Sequence, residues 1–157
     1  MNPARQPRKI PAPKTLLKDA RHLVETCAGW NSRLVARRIT LFLDRELAAT
    51  GLTSAQIGLM AEIAALADDT LGALAKRTGL EQSTLSRNLR NLETEGLIEI
   101  TIVEQDLRRR AVWLTETGAR RLEAAIPVWR KAHARLAKLI SPELPRRLAI
   151  QAEALPL

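Results

Sequence analysis

The spacing of apolar residues in the middle of the chain predicts two short helices joined by a tight turn. Leu71, Leu74 and Ala75 recur at helical spacing. Gly79 follows them, and glycine tolerates the left-handed backbone conformation that commonly ends a helix. A second helix is expected to begin directly after a turn at Glu81.

This second helix is predicted to have one apolar and one polar face. Leu85, Leu89 and Leu92 are separated by four and three residues, so they line one stripe that faces a core. At ~100° per residue, hydroxyl, amide and guanidinium groups lie on the other side and its flanks. Such groups bind base edges and phosphates in a DNA major groove. The candidate contact residues are Gln82, Ser83, Thr84, Ser86, Arg87, Arg90 and Asn91.

Beyond Gly96 the periodicity changes from helical to alternating. Ile98, Ile100 and Ile102 share one face of a predicted strand, and a second strand with the same alternation ends near Leu114. The intervening segment EQDLRRR is expected to be the polar loop of a hairpin. Its guanidinium groups could bind in a narrow minor groove of DNA, where negative potential is concentrated. The alternative is a charged loop that is only exposed to solvent, because such a loop has the same composition. The candidate contact residues here are Asp106, Arg108, Arg109 and Arg110.

Over about residues 16–155 these features resemble the MarR family of winged helix-turn-helix transcriptional regulators. The family's wing pattern of Asp, Arg, Leu-Thr and Gly is met by Asp106, Arg108, Leu114, Thr115 and Gly118. Its recognition-helix pattern is met by Ser83, Thr84, Leu85, Ser86, Arg87, Leu92, Glu93, Gly96, Leu97 and Ile98. The sequence departs from the family at Glu81, where members often carry Asp, which caps a helix better.

The resemblance implies a mainly α fold with a winged helix-turn-helix, a small β-hairpin wing and long N- and C-terminal dimerisation helices. We expect a flexible basic arm over 1–14 and a single domain over 15–157. Within that domain, 53–115 would be the winged helix, and 15–50 and 116–157 would carry the dimerisation helices.

Local signals predict where several of these helices begin or break. The first long helix would run about 30 residues from Leu16, or break into two near Gly29. Thr53 and Gln56 have the spacing of a capping box. Thr115 is expected to cap a long helix, and Ser141-Pro142-Glu143 to start the last one, with Ser141 as its cap.

Composition narrows the possible partners. The 157 residues include 25 Lys and Arg against 17 Asp and Glu, a formal net charge of +8, which favours a polyanion such as nucleic acid or a membrane surface. Aromatic residues are 3% with no Tyr, which argues against binding single strands by base stacking. No apolar run approaches ~18 residues, so we expect no membrane span. The expected location is the cytoplasm of a bacterium or archaeon.

Two further sets of residues could carry chemistry beyond DNA binding. Cys27 is the single cysteine. It lies on an apolar stripe of its predicted helix. The family's hydroperoxide sensors use a cysteine in the first long helix, but they use it together with Tyr, which this chain lacks. The resemblance also implies a pocket for a small aromatic or anionic effector.

Trp30, Arg33 and Arg37 could line this pocket. Alternatively, these side chains could pack in the dimer interface or be ordinary charged groups of the surface. Metal-ligand and catalytic motifs are not found, so we expect no cofactor and no enzyme activity.

The sequence therefore predicts a sequence-specific regulator of transcription that binds duplex DNA. It would be a ligand-responsive repressor that acts as a homodimer on an inverted repeat, or palindromic operator. The alternatives are a basic helical module that binds a protein or membrane surface, and a thiol-based redox sensor using Cys27. In a basic helical module the arginines would line the long amphipathic helices, whereas here they accompany the polar face of the compact middle segment.

Overall fold

A computed structural model describes residues 14–65, 70–103 and 106–156, with the backbone alone at 14, 102–103 and 106–109. It confirms the expected mainly α fold with a small antiparallel hairpin. The chain divides into two units, Met1–Ile39 and Thr40–Leu157. The elements are α1 (Lys14–Thr26), α2 (Ala28–Leu47), a 3-10 turn (Ala48–Thr50), α3 (Ser54–Ala65), α4 (Leu71–Thr78), α5 (Gln82–Thr94), β1 (Ile98–Val103), β2 (Asp106–Leu114), α6 (Glu116–Ala137) and α7 (Glu143–Ala152).

The first long helical stretch is two helices that meet at Cys27. This confirms the alternative of two helices broken near Gly29, with the break two residues before that glycine. Backbone hydrogen bonding nevertheless continues through Cys27, whose N–H donates to Leu23 O at 2.9 Å. Just before the break, the Thr26 hydroxyl donates to His22 O at 2.7 Å. Back-bonding of this kind often bends helices, which accounts for the break.

The core of the second unit lies between α3, α4, α5 and the hairpin. Its most completely buried side chains come from six different segments. The predicted leucine stripe of α5 is confirmed, because Leu85, Leu89 and Leu92 are all buried. The largest side chains with almost no exposure are Leu47, Met60, Leu74, Leu92, Leu97 and Val112.

Several predicted helix ends are confirmed by their hydrogen bonds. Thr53 and Gln56 form the capping box, with Thr53 N donating to Gln56 Oε1 at 2.9 Å and Gln56 N to Thr53 Oγ1 at 3.2 Å. Gly79 closes α4 with φ of 59°, and Gly96 follows α5 with φ of 69°. The N-cap of α5 is weak, because Glu81 makes no side-chain capping bond.

The second strand starts earlier than expected. We predicted a loop over EQDLRRR, but β2 already begins at Asp106, and only 104–105 separate the strands. The pairing is irregular there, since Ile102 pairs with Arg110 and Val103 with Asp106. The periodicity could not show this, because a charged segment in an irregular strand pair carries no alternation of apolar residues.

The last helix also starts differently from the prediction. α7 begins at Glu143 with Pro142 as its N-cap, and no side-chain capping bond from Ser141 is formed. Leu144 N donates instead to the backbone carbonyl of Ser141 at 3.1 Å. By contrast, Thr115 caps α6 as predicted, with its hydroxyl oxygen accepting from Gly118 N at 3.0 Å.

Around Thr115, the start of α6 is joined to the end of α5. The Thr115 hydroxyl donates to Gly96 O at 2.6 Å, and Thr115 N donates to Leu97 O at 3.1 Å. Gly118 packs against the same carbonyl, because a Cβ built on it would lie 1.9 Å from Leu97 O. A side chain at position 118 is therefore sterically excluded.

We expect Gly118→Ala to lower the free energy of unfolding by about 3 kcal/mol or more, because the new methyl group must displace backbone. Urea unfolding at fixed protein concentration measures this change. Gly58→Ala is the matched control, since Gly58 lies within α3 and a Cβ there meets nothing within 4 Å. The control should gain about 0.5–1 kcal/mol from helix propensity. Equal effects of the two variants would contradict the steric account.

We expect Glu81→Asp to raise the free energy of unfolding by about 0.5–1 kcal/mol, because the shorter carboxylate can accept from the first N–H groups of α5. The charge is unchanged, so the comparison isolates capping. Glu81→Ala should give no such gain. The capping account fails if the Asp and Ala variants unfold at the same urea concentration.

Candidate nucleic-acid interface

The outward face of α5 carries the predicted polar side chains. Gln82, Ser83, Ser86, Arg87, Arg90 and Asn91 are exposed, and Thr84 is half-buried. The opposite face holds the buried leucines. The helix is thus fixed to the core through one side, while hydroxyl, amide and guanidinium groups face solvent on the other.

The two arginines of α5 are available for an external partner. In the part of the chain that the structure describes, neither the Arg87 nor the Arg90 guanidinium has an ion-pair partner. Other cations are paired within the protein, as Arg77 is with Glu62 at 2.8 Å and Arg135 with Glu46 at 2.6 Å. A long exposed guanidinium on a helix that is anchored beneath it can bind a phosphate or a base edge.

Only part of the predicted hairpin contact is described. Arg110 is exposed and pairs across the hairpin with Ile102. The backbone of β2 includes Asp106, Arg108 and Arg109, but the structure does not describe their side chains. Their contact with a minor groove stays a prediction.

Sequence reasoning missed a contact that connects α5 to α3. The Gln56 amide donates from Nε2 to Glu95 Oε1 at 3.1 Å, where Glu95 is the residue that ends α5. A cleft of about 190 Å³ lies beside this bond and is lined in part by Asn88 and Asn91 of α5. The capping box indicated that Gln56 starts α3, but a partner 39 residues away has no local signal.

The predicted effector residues lie in the first half of α2, and Cys27, the predicted redox residue, directly precedes that helix. The Trp30, Arg33 and Arg37 side chains are exposed, with spacings of three and four residues that put them on one side of the helix. Cys27 is half-buried, and its Sγ accepts from Trp30 N at 3.4 Å. The thiol therefore caps the first turn of α2.

Two further kinds of site are absent from the described ranges 14–65, 70–103 and 106–156. These ranges contain no group of three His, Cys, Asp or Glu residues placed to hold a metal ion. They also contain no helix that is long and apolar enough to cross a membrane.

Comparison with known proteins gives a consistent set of relatives. The MarR family model matches residues 50–109. The transcriptional regulator MosR of M. tuberculosis, solved in complex with DNA, is 32% identical with a TM-score of 0.74, and the match covers 82% of this chain and 95% of that one. No curated protein sequence matches.

More distant structures share the fold. A MarR mutant from E. coli complexed with operator DNA is 24% identical with a TM-score of 0.71, over 85% of this chain and 98% of that one. The PcaV transcriptional regulator from Streptomyces coelicolor is 21% identical with a TM-score of 0.70, over 82% and 96%. The family model and the identity to MosR over nearly its whole length establish that this chain belongs to the MarR family of transcriptional regulators.

Proposed function

We propose that the protein is a DNA-binding transcriptional repressor that acts in the cytoplasm of a prokaryote and releases its operator on binding a small effector. The observation that carries this proposal is the exposed polar face of α5, whose two guanidinium groups have no partner within the described residues. The M. tuberculosis relative MosR was solved in complex with DNA, which supports the same use of this fold.

In this proposal α5 enters a major groove and the hairpin reaches the adjacent minor groove. The hydroxyl, amide and guanidinium groups of α5 bind base edges and nearby phosphates. The arginines of β2 provide the positive charge that a narrow minor groove attracts. The contacting residues would be Gln82, Ser83, Thr84, Ser86, Arg87, Arg90, Asn91, Asp106, Arg108, Arg109 and Arg110.

The protein acts as a homodimer in this proposal. Large apolar side chains are exposed on α1 and on α7, including Leu23 at 62% and Leu144 at 63%. Monomeric proteins seldom leave so much apolar surface in water, and a second copy offers a symmetric way to cover it. The segments 15–50 and 116–157 would supply the dimer contacts, and 53–115 would bind DNA.

The effector would be a small aromatic or anionic compound that binds at α2. Trp30 offers a flat apolar surface, and Arg33 and Arg37 offer guanidinium groups on the same side of the helix. Like charges four residues apart on a helix repel, so an anion bound there would relieve a cost that the free protein carries. The alternative redox role of Cys27, whose Sγ accepts from Trp30 N at 3.4 Å, stays a prediction.

We expect binding to duplex DNA to require an inverted repeat with half-sites about 10 base pairs apart, because two-fold symmetry presents one α5 from each copy. Affinity should fall steeply between 50 and 200 mM salt, since each phosphate contact displaces a counterion. Fluorescence anisotropy on duplexes with one or two half-sites measures both effects. Equal affinity for the two duplexes, or no dependence on salt, would favour a basic module that binds another surface.

We expect Arg87→Ala to weaken binding to the operator by about 1–3 kcal/mol if Arg87 contacts a base, with relaxed preference at one base pair. Binding to a set of singly substituted operators measures the preference. Arg45→Ala is the control, because Arg45 is an exposed arginine in the last turn of α2 and its loss removes the same charge. If both variants weaken all operators equally, Arg87 contributes only charge.

A further inference from the structure

Gln56 uses both ends of its side-chain amide. Its Oε1 accepts from Thr53 N at 2.9 Å and from Thr53 Oγ1 at 3.1 Å, which completes the capping box at the start of α3. Its Nε2 donates to Glu95 Oε1 at 3.1 Å. The side chain is half-buried, so the rotamer that makes one bond is held by the other. Gln56 thus joins the start of α3 to the end of α5.

The turn on which Gln56 stands is itself attached to α2. Asp44 Oδ1 accepts from Ser54 N at 2.7 Å and from Ser54 Oγ at 2.6 Å. Both are charge-assisted bonds to a half-buried carboxylate. The first turn of α3 is therefore fixed to α2 on one side and reaches α5 through Gln56 on the other.

Glu95 is placed where a small displacement has a large effect on α5. It is the C-cap of that helix, and its N–H donates to Asn91 O and Glu93 O. A helix of 13 residues is about 20 Å long, so a tilt of about 5° at one end moves the other by more than 1 Å. Hydrogen bonds to base edges tolerate only a few tenths of an ångström, so such a tilt would change which bases are bound well.

We propose that Gln56 is a positioning residue that sets the tilt of α5 through Glu95 and thereby the base preference of the protein. This inference rests on the proposed DNA-binding function. The leucine stripe holds α5 on the core along one side, and the turn at Gly96 holds its C-terminal end. The bond from Gln56 to Glu95 adds a polar contact at that end, which connects the tilt of α5 to the first turn of α3.

The decisive variant is Gln56→Glu, because Thr-x-x-Glu is also a capping box and preserves the start of α3. The new carboxylate cannot donate to Glu95 and repels it. Glu95→Gln alone keeps an acceptor for Gln56, and the double variant Gln56→Glu/Glu95→Gln restores the bond with donor and acceptor exchanged. The double variant also has the net charge of the original protein. Ala61→Glu, at an exposed position of α3, controls for added negative charge.

The measurements are affinities for the operator and for its single-base variants, together with urea unfolding. We expect Gln56→Glu to lose about five- to tenfold in discrimination at one or more base pairs, with little change in unfolding. The double variant should recover discrimination to within about twofold, a rescue that a merely structural role would not require. Ala61→Glu should weaken every duplex alike.

The positioning role is overturned if Gln56→Glu discriminates as well as the original protein, or if the double variant behaves like Gln56→Glu. Either result leaves the proposed function intact as long as the original protein binds its operator with preference. If the original protein shows no preference for any duplex, the proposed function fails and the positioning role fails with it.

Discussion

In the second unit, the arrangement of α5, β1 and α6 depends on one backbone carbonyl, that of Leu97. It accepts from Thr115 N and lies so close to Gly118 that no side chain fits there. The preceding carbonyl, of Gly96, accepts from the Thr115 hydroxyl. The end of α5, the start of β1 and the start of α6 therefore meet at these two carbonyls, so a displacement of one element would displace the other two.

This junction holds one end of α5 and so determines which side of the helix faces solvent. Its C-terminal end is fixed by the left-handed turn at Gly96 and by Leu97 N donating to Leu92 O at 2.9 Å, while its leucines are buried along one side. Fixing a helix by its end and its apolar side leaves the polar side exposed without a loss of stability. The weak N-cap at Glu81 is consistent with this arrangement, because stability comes from packing and from the far end of the helix.

Sequence alone predicted those features whose cause is local. The leucine stripe, the closing glycines, the capping box at Thr53 and the cap at Thr115 each depend on residues a few positions apart, and each is confirmed. One local signal failed, because the predicted cap at Ser141 makes no side-chain bond to α7. Two other misses have causes that a periodic pattern of apolar residues does not contain. The irregular pairing moved the start of β2 to Asp106, and the bond from Gln56 to Glu95 joins residues that become neighbours only after α4 and α5 have packed.

Some cations in the described part of the second unit are paired within the protein and others are not. Arg77 and Arg135 each pair with a glutamate from another helix, so their charge is satisfied inside the protein. Exposed pairs of this kind add little stability, but they remove a cation from competition for an outside anion. Within the described residues Arg87 and Arg90 have no ion-pair partner, and the opposite face of their helix is buried. These two cations stand on a helix that three buried leucines hold on the core. Rigid support of this kind is what discrimination between base sequences would require of them.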